Sequence, residues 1–131
     1  MPLINLTSQI TISNGPKFSV SRALEVEAYD LIEVVVPADT TDLEVTLQPG
    51  TAGAATFLLV TANWYGAELA YKINTNSADA RTLDHPHLFA GSGAVSLVDA
   101  APSSLFFTNS TSSDDAADAH VQILLGRDAT P

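Results

Sequence analysis

Asp42-Leu43-Glu44-Val45-Thr46-Leu47 places Leu43, Val45 and Leu47 on one side of an extended chain and acids or a hydroxyl on the other. Side chains of a strand alternate between faces, so this repeat of two identifies a half-buried antiparallel strand. Glu68-Leu69-Ala70-Tyr71-Lys72-Ile73 and His120-Val121-Gln122-Ile123 carry the same pattern. Working outward, strands are expected near residues 4–13, 17–28, 30–36, 42–48, 55–62, 68–74, 93–98, 104–109 and 119–125, with a weaker extended piece at 81–89. Turn chemistry separates them at Asn14-Gly15-Pro16, Pro37-Ala38-Asp39, Gln48-Pro49-Gly50, Asn74-Thr75-Asn76, Ala101-Pro102 and Ser110 through Asp118. No window of useful length has helical periodicity, and Ala116-Ala117-Asp118 would form one turn at most. About nine short strands with frequent turns predict a single all-β domain, an antiparallel β-sandwich or jelly roll.

The phasing within each strand predicts a core of Ile10, Ile12, Phe18, Val20, Leu43, Val45, Leu47, Leu58, Val60, Leu69, Tyr71, Ile73, Val95, Leu97, Leu105, Phe107, Val121, Ile123 and Leu125. At the first hairpin, a two-residue Asn14-Gly15 loop would set Phe18 opposite Thr11 and mix apolar with polar on both faces. A three-residue Asn14-Gly15-Pro16 loop pairs Ile12 with Phe18 and Ile10 with Val20, keeps one face apolar, and assigns positive φ to Gly15.

Composition narrows the function. A chain of 131 residues can bury a core without staples, and it has no cysteine for disulfide or thiolate chemistry. Fifteen acidic residues against five basic ones give a net charge of −10, which repels phosphate backbones and anionic lipid, so nucleic-acid and membrane partners are not expected. Charged residues make up only 15%, with Ser, Thr, Asn and Ala in their place, and such a surface is readily desolvated against neighbours. Met1 through Leu6 lacks the basic and long apolar regions of a signal peptide, and Phe57-Leu58-Leu59-Val60, the longest apolar run, is far too short to span a membrane. Asn5-Leu6-Thr7 and Asn109-Ser110-Thr111 match the glycosylation sequon, which a Ser/Thr-rich chain produces by chance.

Few residues offer chemistry. Asp84-His85-Pro86-His87 has metal-ligand types, because His-x-His on a strand turns both imidazoles to one face. Pro86 interrupts it, however, and a bend with solvated or hydrogen-bonded imidazoles accounts for it better. Asp114, Asp115 and Asp118 supply oxygen ligands without the spacing of a calcium loop, and a solvated acidic loop is the simpler account. Ser92 in Gly91-Ser92-Gly93 is not a nucleophile elbow, and the glycines fit a tight connection into Val95-Ser96-Leu97. No catalytic residue, cofactor or metal is therefore assigned. Trp64-Tyr65 lies between two apolar strands, where it either caps the core or presents an aromatic shelf to a sugar or protein.

Thr82-Leu83-Asp84, Leu88-Phe89-Ala90-Gly91, Leu105-Phe106-Phe107-Thr108-Asn109 and Ile123-Leu124-Leu125-Gly126-Arg127-Asp128, set in a short, acidic, cysteine-free chain, resemble small virion structural proteins of tailed bacteriophages. The resemblance is one of style across the chain and transfers no functional residue. It implies a capsid decoration or cement subunit, or a tail or neck component, that assembles in the host cytoplasm, binds the major capsid protein or other virion proteins, and forms a homo-oligomer. The alternative class is a carbohydrate-binding or adhesion sandwich using Trp64 and Tyr65. For assembly, residues 1–6 are read as an interacting arm ahead of the first hairpin. The expected interface residues are Leu3, Ile4, Leu6, Trp64 and Tyr65.

Overall fold

Period-two alternation becomes strand almost everywhere it occurs. A computed structural model describes residues 2–48, 53–112 and 117–128. Among them are β1 (Leu3–Thr11), β2 (Lys17–Glu25), β3 (Ala28–Val36), β4 (Thr40–Thr46), β5 (Ala55–Ala62), β6 (Leu69–Ile73), β7 (Arg81–Thr82) and β8 (His87–Ala90). One helical turn, α1 (Ser92–Val95), precedes β9 (Ser104–Asn109) and β10 (Ala119–Arg127). The expected all-β sandwich is the observed fold.

Its topology is a rolled hairpin. β3 pairs with β10, β4 with β9, β5 with β8, and β6 with β7, all antiparallel. The chain from β3 to β10 is thus one long double strand with its tip between β6 and β7. Pairing of β5 with β10 and of β6 with β9 closes it into two four-stranded sheets, β3-β10-β5-β8 and β4-β9-β6-β7. This nesting is that of a jelly roll.

The core lies between the sheets. Val36, Leu58, Val60, Val121, Ile123 and Leu125 from one sheet meet Val45, Leu69, Tyr71, Ile73, Leu105 and Phe107 from the other. Asn109 is fully buried at one end, and its hydrogen bonds are all made. Its Nδ2 donates to the carbonyls of Val36 (3.1 Å) and Ala117 (2.8 Å), while Oδ1 accepts from the Thr111 N–H (3.2 Å) and hydroxyl (2.7 Å). With its amide buried, this sequon cannot be glycosylated in the folded chain.

Three expectations are corrected. Residues 93–98 are not a strand: α1 and the turn after it bury Val95 and Val98, three apart, and leave Leu97 74% exposed. Gly91, at φ +92, makes the entry into this turn. The first hairpin turns one residue earlier than expected, through Ser13-Asn14-Gly15, so Ile10 faces Phe18 and Ser8 faces Val20. Asn14 takes the positive φ (+59), which Asn tolerates, and Gly15 is needed for closeness instead, since a Cβ there would stand 3.0 Å from Ile12 Cγ2. The shift relative to expectation is two residues in register, an even number, so the apolar and polar faces stay segregated. Finally, Ile10, Ile12, Phe18 and Val20 are not core at all, because β1 and β2 pair only with each other and form a separate two-stranded ribbon.

Candidate functional site

The ribbon is the most unusual surface of the molecule. Its even-numbered face carries Ile4, Leu6, Ile10, Phe18, Val20 and Leu24, interrupted by Ser8 and Arg22, and its odd-numbered face carries Asn5, Thr7, Gln9, Thr11, Ser19 and Ser21. Only the base meets the sandwich. Ile4 Cδ1 and Val26 Cγ1 close over Gly126, so tightly that a Cβ on Gly126 would lie 3.0 Å from each. The Val26 N–H donates to the Pro2 carbonyl (3.1 Å), joining the two ends of the ribbon, and the Glu27 N–H donates to the Arg127 carbonyl (3.0 Å), tying that root to β10. Beyond that base the apolar face is uncovered: Ile10 is 56% exposed and Phe18 52%. An isolated two-stranded ribbon has marginal stability in water, so this element is poorly satisfied by its own chain.

Of the expected interface residues, Leu3, Ile4 and Leu6 therefore belong to β1 itself. The projecting element is the whole hairpin, 3–25, rather than a segment ahead of it; Met1 lies outside the described residues. Leu3 is exposed on the polar face, whereas Ile4 and Leu6 are half-buried on the apolar one. Trp64 and Tyr65 sit at the opposite kind of place, half-buried against the core. Trp64 Nε1 donates to the Asp118 carbonyl (3.2 Å), and the Tyr65 hydroxyl accepts from the Ala62 N–H (3.1 Å). Their polar ends are used inside the fold.

A second apolar surface escaped the sequence reading. On the outer face of the β3-β10-β5-β8 sheet, Leu31, Leu124, Leu59 and Leu88 stand opposite one another in a single cross-strand row. Leu31 is 56% exposed and Leu88 41%. The outer face of the other sheet is more polar, with Asp42, Glu44, Ser104, Thr108 and Lys72 around a half-buried Phe106, and a Lys72–Asp42 ion pair at 3.0 Å. A signal for the row did exist: β5 and β10 contain Leu58-Leu59 and Ile123-Leu124-Leu125, apolar on both parities, which is the mark of a strand covered on both faces.

The candidate chemistry does not gather. His87 turns inward on β8, where its Nδ1 shares a 2.6 Å hydrogen bond with the Tyr71 hydroxyl. Burial pushes the Tyr71 phenol up to about 12, with Arg81 opposing, so it stays protonated. Burial likewise lowers the His87 pKa; Asp84 opposes this, and Arg81 and His85 add to it. His85 and Asp84 are exposed in the bend before β8, on neither side of a shared site. Among the described residues, no three His, Asp or Glu side chains come together to hold a metal ion. Asp118 accepts from the Ala38 N–H (3.1 Å), while Asp114 and Asp115 lie outside the described residues. Ser92 opens α1, and no described hydroxyl of Ser or Thr bonds to a histidine. A shallow groove of about 520 Å³ at the ends of β3, β10 and β5 is lined by Glu33, Gln122, Asn63 and His120; Gln122 Nε2 donates to Glu33 Oε1 (3.4 Å), and Asn63 Oδ1 accepts from the His120 backbone N–H (2.8 Å). The chain matches no family, no curated protein and no solved structure.

Proposed function

We propose that this chain is a non-enzymatic structural subunit of a virion, a decoration or cement protein that docks on the head lattice of a tailed bacteriophage with the major capsid protein as partner. The observation that carries the reading is the ribbon, which extends an uncovered apolar face away from a finished core. Such a surface works by being covered. The jelly roll supports the reading by analogy, since it is an architecture of viral capsid domains, although lectins and cupins share it. A cupin-like reading would require converging metal ligands, and a lectin-like reading an open aromatic shelf; Tyr71–His87 and Trp64–Tyr65 are both engaged internally.

Co-sedimentation with phage heads tests the proposal. The protein should pellet with heads, and Phe18→Asp should weaken pelleting while leaving the sandwich folded, because subunits joined through their ribbons hold the lattice at more than one point. Because the chain carries −10, attachment should also weaken as salt screens the basic groups of the lattice. A folded protein that never pellets with heads would defeat the virion assignment.

A further inference from the structure

We infer that the apolar face of the β1–β2 ribbon docks on the leucine row of a second copy of this chain, and that the exchange is reciprocal, each copy lending one ribbon and receiving one. This rests on the reading of the protein as an assembly subunit and names the partner of its ribbon. Four observations lead to it.

The first is that the molecule has two uncovered apolar surfaces of similar length, the ribbon face around Ile10 and Phe18 and the row from Leu31 to Leu88. The second is their continuity. Ile4 seats on Gly126, one register row from Leu124, and Leu3, Ile4, Tyr29 and Leu124 line one depression of about 290 Å³. The ribbon therefore leaves the body beside the leucine row. A two-fold axis near this base would lay each ribbon over the row of the other copy.

Charge is the third. The ribbon holds Lys17 and Arg22, two of the five basic residues, against one of the fifteen acids, Glu25. The rest of the chain is strongly acidic, and Glu33 stands beside Leu31 on the receiving face. Ribbon attracts body, whereas body repels body, so contact through the ribbon is the favoured way for two copies to meet.

Area is the fourth. Half-exposure of four large side chains leaves on the order of 400 Å² of apolar surface on the ribbon, with somewhat less on the leucine row. A single docking would bury roughly 700 Å², the size of an incidental contact, whereas the reciprocal pair buries about 1,400 Å², within the range of stable interfaces. The area favours exchange over one-way docking.

Sedimentation velocity on the full chain tests this, with Phe18→Asp and Leu31→Asp as variants; both side chains are exposed, and circular dichroism checks that each variant folds. The wild-type protein should dimerise, and each variant should lose dimerisation by more than about tenfold, as for a central apolar anchor. Mixing the two variants should give a heterodimer weaker than the wild-type dimer but tighter than either variant alone, since one intact ribbon then meets one intact row and the second contact stays broken. Because the chain has no cysteine, Val20→Cys in one copy and Leu31→Cys in another should also form a crossed disulfide on mild oxidation. A wild-type monomer that still pellets with phage heads would overturn the inference and leave the proposed function standing. A dimer unaffected by either charge substitution would overturn it too. A dimer that obeys the complementation but binds no head would uphold the inference and defeat the virion assignment instead.

Discussion

At the scale of single residues, two polar groups are the most informative, the buried Asn109 and the half-buried His87. Asn109 ties the end of β3, the loop before β10 and Thr111 together with four hydrogen bonds. Asn109→Ala would orphan the Val36 and Ala117 carbonyls, and a urea melt should show a loss of about 2–4 kcal/mol. No pattern in the sequence distinguishes this Asn from the chain's exposed ones, since its burial depends on Val36, 73 residues away, whose carbonyl it bonds. His87 makes a pH-dependent contribution. Its folded pKa is lowered from 6.5 by burial, so below that value the unfolded chain takes up the proton more readily than the folded one. Its contribution is complete above 6.5 and is lost as pH falls through 6.5 toward the lower folded value. The melting temperature of the wild-type protein should therefore drop more between about pH 7.5 and pH 5.5 than that of His87→Gln, which keeps an acceptor for Tyr71 but does not titrate.

At the scale of elements, the ribbon and α1 show how a local pattern can be read correctly and placed wrongly. Alternation in β1 and β2 specified strands, a hairpin and a segregated apolar face, and all three are present. The same alternation made Ile10 and Phe18 look like core, because exposure depends on what lies opposite and not on the strand itself. In α1, Val95 and Leu97 suggested period two, whereas Val95 and Val98 carry the period of a helical turn, which a segment of this length does not settle. Gly126 joins ribbon to roll. Gly126→Ala would drive Ile4 and Val26 off their seat, so it should cost about 1–3 kcal/mol by denaturant melt and raise the exchange rate of ribbon amides. If Gly126→Ala leaves both unchanged, the ribbon base is looser than its contacts indicate.

At the scale of the whole molecule, a jelly roll with a leucine row across one outer face carries a ribbon stabilised at its root. Protection against amide hydrogen exchange should consequently fall into two levels: slow in β5 and β10, each flanked by two strands, and fast in β1 and β2 of the dilute monomer. Concentrating the protein into dimers should slow the ribbon amides selectively, and slow exchange there at every concentration would contradict the isolation of the ribbon. The alternation of side chains by itself determined that the chain is all-β and, apart from residues 93–98, which segments are strands and which face of each is apolar, because backbone geometry imposes period two locally. The acidic, cysteine-free composition likewise follows from the sequence alone. Only the tertiary structure decided that β3 to β10 roll up as nested pairs, that Leu31, Leu124, Leu59 and Leu88 align across four strands, and that the face of Ile10 and Phe18 has no sheet opposite it. These are relations between segments distant in sequence, and an apolar face reads the same whether its partner is another strand of the chain, a second molecule or water.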